Sequence, residues 1–223
     1  MGAERLSIVI PALNEAARIR AALEALAALR LAGHEVIVVD GGSADGTPAL
    51  AAPACDRVLQ AARGRAVQMN AGAQAASQAA LLFLHADTRL PPGADILILD
   101  SLKTHGWGRF DVEIEGRHPL LRVVAAAMNL RSRLTGIATG DQAIFVRREA
   151  FAGFPEIALM EDVAFSKAMK RRGRPACLRS RVVTSGRRWE ERGVVRAIFL
   201  MWRLRLLYFL GVRPDELARL YSK

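Results

Sequence analysis

Leu81-Leu82-Phe83-Leu84-His85-Ala86-Asp87-Thr88 is the run around which the sequence is organised. Four consecutive apolar residues predict a buried strand, and the run stops at two polar side chains one residue apart. Alternation along extended backbone puts His85 and Asp87 on the same side. In open parallel sheets, ligands gather beyond the carboxyl ends of the strands. A carboxylate at that edge is placed to hold a divalent cation against an anionic substrate. A strand closed by a turn-forming Asp has the same pattern, so the stretch has to be read with its neighbours.

Upstream, Leu6-Ser7-Ile8-Val9-Ile10 predicts a first strand, ended by Pro11, which has no N–H for a ladder. Asn14 reads as a helix cap with Glu15 in the first turn. Ile19, Leu23, Leu26 and Leu29 recur at helical spacing up to Gly33. Glu35-Val36-Ile37-Val38-Val39-Asp40 predicts a second strand. The turn after it, Gly41-Gly42-Ser43-Ala44-Asp45-Gly46-Thr47, is rich in residues that tolerate unusual backbone angles. A short helix broken near Pro53, a strand near Val58 and a helix from Gly64 to about Ser77 lead into Leu81–Leu84. Strands alternating with helices imply parallel strands joined by right-handed crossovers.

Downstream the order is mixed. Pro91-Pro92-Gly93 marks a break before a helix over Ala94 to Leu102. Phe110, Val112 and Ile114 alternate with polar residues, which predicts a half-buried strand. A helix is expected from His118 to Leu134, a strand over Gln142 to Val146, a helix from Met160 to Arg172 ended by Gly173, and a last strand at Val182-Val183-Thr184. The second half is therefore expected to form a less regular lobe on the same sheet.

At 223 residues, 52% hydrophobic and 24% charged, the chain has an ordinary globular composition and can bury a full core. Cys55 and Cys177 fit no metal or redox spacing and read as free thiols of a reducing compartment. The amino terminus lacks the long apolar region of a signal peptide, so a cytoplasmic location is expected. A formal charge of +10 and a pI of about 10.8 call for an anionic partner: nucleotide phosphates, nucleic acid or an anionic membrane. The basic residues are dispersed, with no aromatic interleaving or known module, so nucleic acid is not the expected partner.

Read in order, Pro11-Ala12-Leu13-Asn14-Glu15, Val39 to Thr47, Gly64-Arg65 to Asn70, Ala86-Asp87, Glu161-Asp162 and Arg187-Arg188-Trp189 resemble the signature blocks of family 2 glycosyltransferases. The likeness covers roughly residues 5 to 190. The small size and the phrase Gly140-Asp141-Gln142-Ala143-Ile144-Phe145 also resemble the bacterial radical-SAM/selenodomain-associated transferases. The resemblance implies a GT-A (Rossmann-like) α/β fold: a mostly parallel mixed sheet flanked by helices, followed by a C-terminal helical tail. It divides the chain into a catalytic domain over 1–190, with a nucleotide-binding half of about 1–90 and an acceptor half of about 91–190, and a basic amphipathic tail over 191–223. The implied activity is metal-dependent, inverting transfer of a sugar from a nucleotide-diphosphate sugar, a UDP-sugar favoured, to an acceptor hydroxyl. The alternative on the same fold is a sugar-nucleotide binder without catalysis.

Residue by residue, the resemblance assigns Pro11, Ala12, Asn14, Glu15, Asp40, Gly42, Ser43, Gly64, Arg65, Met69 and Ala86 to the nucleotide, and Gly140 and Asp141 to the acceptor. Asp87 would hold Mg²⁺ or Mn²⁺ through an oxygen shared with the diphosphate. The family pattern has an acid where this chain has His85, which is given no ligand role. Asp162 would be the general base and Glu161 would orient the site. Arg187, Arg188 and Trp189 would close on the leaving group. The residues alone leave other readings open: Asp40 as a turn cap, Arg65 as a solvated helix-end cation, Glu161-Asp162 as partners of a helix dipole, and Arg187-Arg188 as a basic surface loop.

Residues 187–223 carry nine Lys/Arg against four Asp/Glu. Val194 to Val212 is almost wholly apolar apart from Arg196, Arg203 and Arg205. A spanning helix is not expected, since each central arginine costs about 2.5–3.5 kcal/mol on the insertion scale. Two readings remain: packing on the catalytic domain, or peripheral contact of residues 193–212 with the inner face of the cell membrane.

Overall fold

The computed structural model describes residues 4–222, the side chain of Ser222 excepted. The chain runs β1 (Leu6–Ala12), α1 (Ala16–Glu24), α2 (Ala27–Leu31), β2 (Glu35–Asp40), α3 (Thr47–Ala51), β3 (Arg57–Gln60), α4 (Arg65–Ala75) and β4 (Ala80–Phe83). It continues with β5 (Thr88–Arg89), α5 (Ala94–Leu102), β6 (Trp107–Glu115), α6 (Leu120–Thr135), β7 (Phe145–Arg147), α7 (Glu161–Lys170), β8 (Ala176–Ser185), α8 (Arg187–Glu191), α9 (Val194–Phe209) and α10 (Pro214–Ser222).

The β-branched runs of β1 and β2 have no polar alternation because both of their faces are covered. Successive residues enter opposite cores. Leu6, Ile8 and Ile10 of β1, Val36 and Val38 of β2, and Leu82 of β4 pack with Ile19, Leu23 and Ile98 from α1 and α5. Val9, Ile37, Val39, Leu81 and Phe83 pack on the other face with Ala66, Met69 and Ala73 of α4 and Phe165 and Met169 of α7. The result is a three-layer sandwich on one sheet of order β3-β2-β1-β4-β7-β6-β8-β5. β1 to β4 are mutually parallel; β7 is antiparallel to β4 and β6, and β5 is antiparallel to β8. This is the mixed α/β sheet with a C-terminal helical segment that the sequence predicts.

Several expectations need correction. Pro11 does not end β1, which stays in register with β2 to the pair Ala12–Asp40. The Val9 carbonyl accepts from Leu84 N–H, so alternation turns the Pro11 nitrogen to the same side. That side lies beyond the last β1–β4 pair, Val9–Phe83, and no ladder bond is lost. The single helix expected over Ile19 to Leu29 is two, because Leu26 N–H bonds the Leu23 carbonyl in a tightened turn and buries Leu26 beside Leu23. Nothing in the sequence marks that break. β6 is half-buried only at its end, where Glu113 and Glu115 are exposed beside buried Val112 and Ile114; Trp107 to Val112 is covered on both faces, because α6 lies over its polar residues. There Arg109 pairs with Asp111, which also takes Arg133. β7 is shorter than expected because Gly140–Gln142 forms a 3₁₀ turn, while β8 is longer. The helices over 94–102, 120–135 and 161–170 lie where the periodicity places them.

The tail is two helices. Gly211, at φ 89°, allows a left-handed turn in which Val212 N–H reaches back to the Leu207 carbonyl, and Pro214 opens α10. Leu204 and Leu217, both fully buried, pack with Met160 and Val163 at the start of α7. Packing on the domain therefore holds for one face of the tail. Among the described residues no helix is long and apolar enough to cross a membrane, and Cys55 and Cys177 are free thiols.

Candidate active site

The carboxyl ends of β1 and β2 carry two loops that cap each other. Asn14, at φ 54°, is not the helix cap the sequence suggests. Its N–H donates to Ser43 Oγ (2.8 Å) and its Oδ1 accepts from Ala44 N–H (3.0 Å). α1 is capped from across the gap instead: Ala16 N–H donates to Asp45 Oδ2 (2.9 Å) and Glu15 N–H to Thr47 Oγ1 (2.9 Å). Glu15 turns to Arg18, 3.3 Å away. Pro11 and Ala12 form the strand end beneath, where the Ala12 carbonyl accepts from Gly41 N–H.

Asp40 caps its turn, one of the roles left open for it, and keeps an oxygen free for the other. Its Oδ2 accepts from Gly42 N–H (3.0 Å) and Ser43 N–H (2.9 Å), which closes the turn. Its Oδ1 is buried with no hydrogen-bond partner. An orphaned carboxylate oxygen at a strand end has the geometry to accept an N–H from a ligand.

Gly64, at φ 147°, precedes α4 and lets Arg65 open the helix. Arg65 Nη1 lies 3.3 Å from Glu161 Oε1, an ion pair between the two halves of the chain. Glu161 is buried, so its charge is compensated by that contact. Asp162 beside it accepts from Gly140 N–H through Oδ2 (3.0 Å) and from Val163 N–H through Oδ1 (2.7 Å). Burial, and after it the Glu161 carboxylate, push Asp162 up to about 6. Met160, directly before the pair, has φ 71°. The three non-glycine residues with positive φ among those described are Asn14, Ala143 and Met160, and all three flank this region. Strained backbone of this kind persists where the surroundings over-determine it.

His85 and Asp87 do not share one side of a strand, because β4 ends at Phe83. Residues 85–88 form a turn closed by Thr88 N–H on the His85 carbonyl. His85 Nδ1 lies 3.2 Å from Asp141 Oδ1, and its Nε2 is buried without a partner. The ring lies against Gly140, where a Cβ would come within 2.6 Å of it. Asp141 is held below the usual carboxylate range: burial raises it, but the His85 hydrogen bond and charge, then Arg65 and Arg188, outweigh burial. Ala86 is buried. The Asp87 side chain has one contact, with the Thr88 hydroxyl at 3.5 Å. Among the described residues no three His, Cys, Asp or Glu side chains gather into a metal cage. Mg²⁺ and Mn²⁺ bound to phosphates need one or two carboxylates rather than a cage, so a free Asp87 oxygen fits a cation shared with a diphosphate.

A cavity of about 10 Å³ is lined by Arg65, Met69, Phe83, His85, Gly140, Ile144, Phe154, Glu161 and Asp162. It joins Arg65, Met69, Gly140, Glu161 and Asp162 of the expected set in one place. Arg187, Arg188 and Trp189 stand apart from it on α8, which is a helix rather than a loop. Arg187 is paired with Glu191 at 3.4 Å, and Trp189 packs on the main core. Arg188 is the one of the three whose charge bears on Asp141.

Other residues were not singled out by sequence. Gln68 Nε2 donates to the Ala12 and Val39 carbonyls (2.8 Å each) and ties the two strand ends together. Asn70 holds both backbone groups of Phe154. Both lie in the Gly64 to Asn70 block, so their polarity on an otherwise small-residue helix was the available signal. Tyr208 of α9 is raised by burial and then by the Asp162 charge, and Leu204 of the same helix packs on Met160 and Val163 beside Asp162. Two guanidinium nitrogens of Arg131 are buried without partners; burial lowers its pKa, against the pull of Asp162.

A parallel half over β1 to β4, continued by a mixed lobe in which β6 and β8 run parallel and β7 and β5 antiparallel to their neighbours, defines a mixed α/β fold of the GT-A type. Residues 7–118 match the glycosyl transferase family 2 profile, half of the chain, and the chain belongs to that family. No curated protein matches it by sequence. The S. aureus TarS structure in complex with UDP-GlcNAc superposes with a TM-score of 0.65 at 20% identity, over 81% of this chain and 58% of that one. The mannosyltransferase PcManGT from Pyrobaculum calidifontis, in complex with GDP-Man and Mn²⁺, gives 0.62 at 22% identity, over 90% and 60%. Glucosyl-3-phosphoglycerate synthase from Mycobacterium tuberculosis, with Mn²⁺, UDP and glucosyl-3-phosphoglycerate, gives 0.57 at 20%, over 81% and 71%. At these identities the likeness is one of fold. The chain spans 58–65% of the length of the first structures it matches.

Proposed function

We propose that the chain transfers a glycosyl group, with inversion, from a nucleotide-diphosphate sugar to an acceptor hydroxyl. The observation that carries this reading is Asp162, held near the operating pH by burial in the cavity that also contains Arg65 and His85 of the nucleotide half. A general base is most effective when its pKa lies close to working pH. Each Asp162 oxygen accepts one N–H and keeps a lone pair for the acceptor. The acceptor oxygen attacks the anomeric carbon, the bond from that carbon to the diphosphate oxygen breaks, and the hydroxyl proton passes to Asp162. The nucleoside diphosphate leaves with the bonding pair.

Asp40 takes a base N–H on its free Oδ1, which favours a uracil-type donor. The Asn14–Ser43 and Asp45–Ala16 bonds hold the strand-end backbone of Pro11, Ala12 and Gly42 around the nucleoside. Arg65 and Arg188 face the phosphates, and Glu161 orients Arg65. Gly140 and Asp141 border the acceptor. Mg²⁺ or Mn²⁺ between Asp87 and the diphosphate would offset the charge that grows on the leaving group. The nucleotide half is about 1–90, the acceptor half about 91–190, and the tail contacts anionic lipid on the inner face of the cell membrane.

His85 in place of an acid favours a second reading, a nucleotide-sugar binder without turnover. A thermal-shift screen of nucleotide sugars with and without Mn²⁺ tests donor and metal together, and a turnover assay of the parent and Asp162→Asn separates the two readings. Donor stabilisation with turnover lost in the variant supports the enzyme. Donor stabilisation with no turnover in the parent supports the binder, and no stabilisation by any donor sinks both.

A further inference from the structure

Nine of the eleven large apolar side chains that are strongly exposed lie on α6, α9 and the residue that ends α9. On α9, Val195, Phe199, Trp202, Leu206 and Phe209 recur at spacings of three and four, with Trp202 69% and Phe209 79% exposed. At 3.6 residues per turn they fall within an arc of about 80°. Arg196 and Arg203 run along one margin of that arc and Arg205 along the other. α6 lies against α9 and exposes Val123, Leu130 and Leu134, again on one face. The opposite face of α9 is satisfied: Leu204 is fully buried against Met160 and Val163. The outward stripe is therefore not core that failed to find a partner.

We propose that α6 and α9 form one docking face for an anionic bilayer, with the apolar stripe in the acyl boundary and the arginines among headgroups. This extends the tail contact to a second helix, and it does not depend on the transferase chemistry. Charge complementarity selects the occupant. An apolar arc edged by arginines on both sides suits a surface that is apolar below and negative above, and a second copy of the same basic face would repel it. Beside Val195 and Arg196 a surface depression of about 590 Å³ is lined by Arg117, His118, Pro119 and Glu190. Glu190 Oε1 is engaged by the Arg117 and His118 N–H groups, and the two arginines of the lining, Arg117 and Arg196, outnumber that one carboxylate. A headgroup phosphate is the ligand such a depression takes.

The test is co-sedimentation of the full chain with phosphatidylcholine vesicles, with and without phosphatidylglycerol, alongside Trp202 fluorescence. The other two tryptophans are already covered, Trp107 fully and Trp189 partly. The expected result is binding that needs phosphatidylglycerol, a blue shift on binding, and affinity reduced by roughly tenfold or more in Trp202→Ser/Phe209→Ser and in Leu130→Ser/Leu134→Ser. These side chains are exposed, so the variants keep the fold, and unchanged nucleotide-sugar stabilisation checks that independently of the vesicles. Binding left intact by both apolar pairs overturns the proposal in favour of simple charge attraction. No vesicle binding, with a concentration-dependent dimer that the same substitutions dissolve, overturns it in favour of self-association.

Discussion

Asp162 is the side chain on which both chemistry and stability turn. Its carboxyl is pushed up to about 6, first by burial and then by Glu161. As the proposed base, Asp162 would work ionised, so activity is expected to rise with pH through about 6 and level off above it. Asp162→Asn removes the base, and a fall in kcat of about 10²–10⁴ is expected with donor affinity retained. Equal losses of kcat and donor binding would mean that the residue holds the site rather than the proton. The stability effect has the opposite slope. Between its ordinary value and about 6 the folded chain holds a proton that the unfolded chain releases, so stability falls as pH rises through that window. Urea unfolding of parent and Asp162→Asn at pH 4 and pH 8 measures it. The parent is expected to lose up to about 3 kcal/mol relative to the variant on going to pH 8.

At Asp40 one oxygen closes the turn and the other is orphaned. Asp40→Asn can keep its oxygen on the Gly42 and Ser43 N–H groups while offering a donor where a ligand N–H would come. A loss of about 1.5–3 kcal/mol in UDP affinity without unfolding is expected by calorimetry. Residues of this kind were legible because each ends a β-branched run or opens a periodic helix. The His85–Asp141 contact was not legible, because it joins positions 56 apart in sequence. Nor was the burial of Arg109, since an alternating strand gives no sign that a helix will cover its polar face.

Among the elements, α4 sets how closely the parallel half of the sheet is packed. Gly72 has no room for a side chain: a Cβ would come within 2.3 Å of Val9 Cγ1 and 3.0 Å of Val39 Cγ2. Gly72→Val is expected to push α4 off β1 and β2, lowering stability by about 1–3 kcal/mol or more in urea unfolding and weakening donor binding with it. Capping acts between elements in the same way. Asp45→Ala uncaps α1 from a neighbouring loop, with about 0.5–2 kcal/mol expected to be lost. The parallel half could be read from sequence because its strands are covered on both faces and its turns are rich in glycine. The mixed half could not, because β5 is two residues long and β7 three. Elements that short carry no period, and their strand order depends on long-range pairing alone.

Across the molecule, the two cores on either side of the sheet are joined by a third at the tail, where Met160 and Val163 meet Leu204 and Leu217. Composition and charge made the basic tail visible, and the glycine and proline that divide it were present to be read. Its inward packing was not visible, since Val194 to Val212 is apolar almost all round and favours no single face. Leu217 is fully buried. Leu217→Ala is expected to loosen α10 by about 2–5 kcal/mol locally, read as faster amide exchange over 214–222. Donor affinity should change less than kcat, because the residues proposed to hold the donor lie outside the cluster that contains Leu217.

The left-handed residue Met160 aims Glu161 and Asp162, and it is clamped beneath the two tail helices. A proton acceptor aimed by a clamp is only as steady as the clamp. With Asp162 as the proposed base, whatever tugs on the carboxyl-terminal helices would throttle the reaction from outside it: a bilayer gripping their outer side, as proposed, would brace the carboxylate, and a protease nicking 210–213 is expected to lower turnover with every reacting group intact.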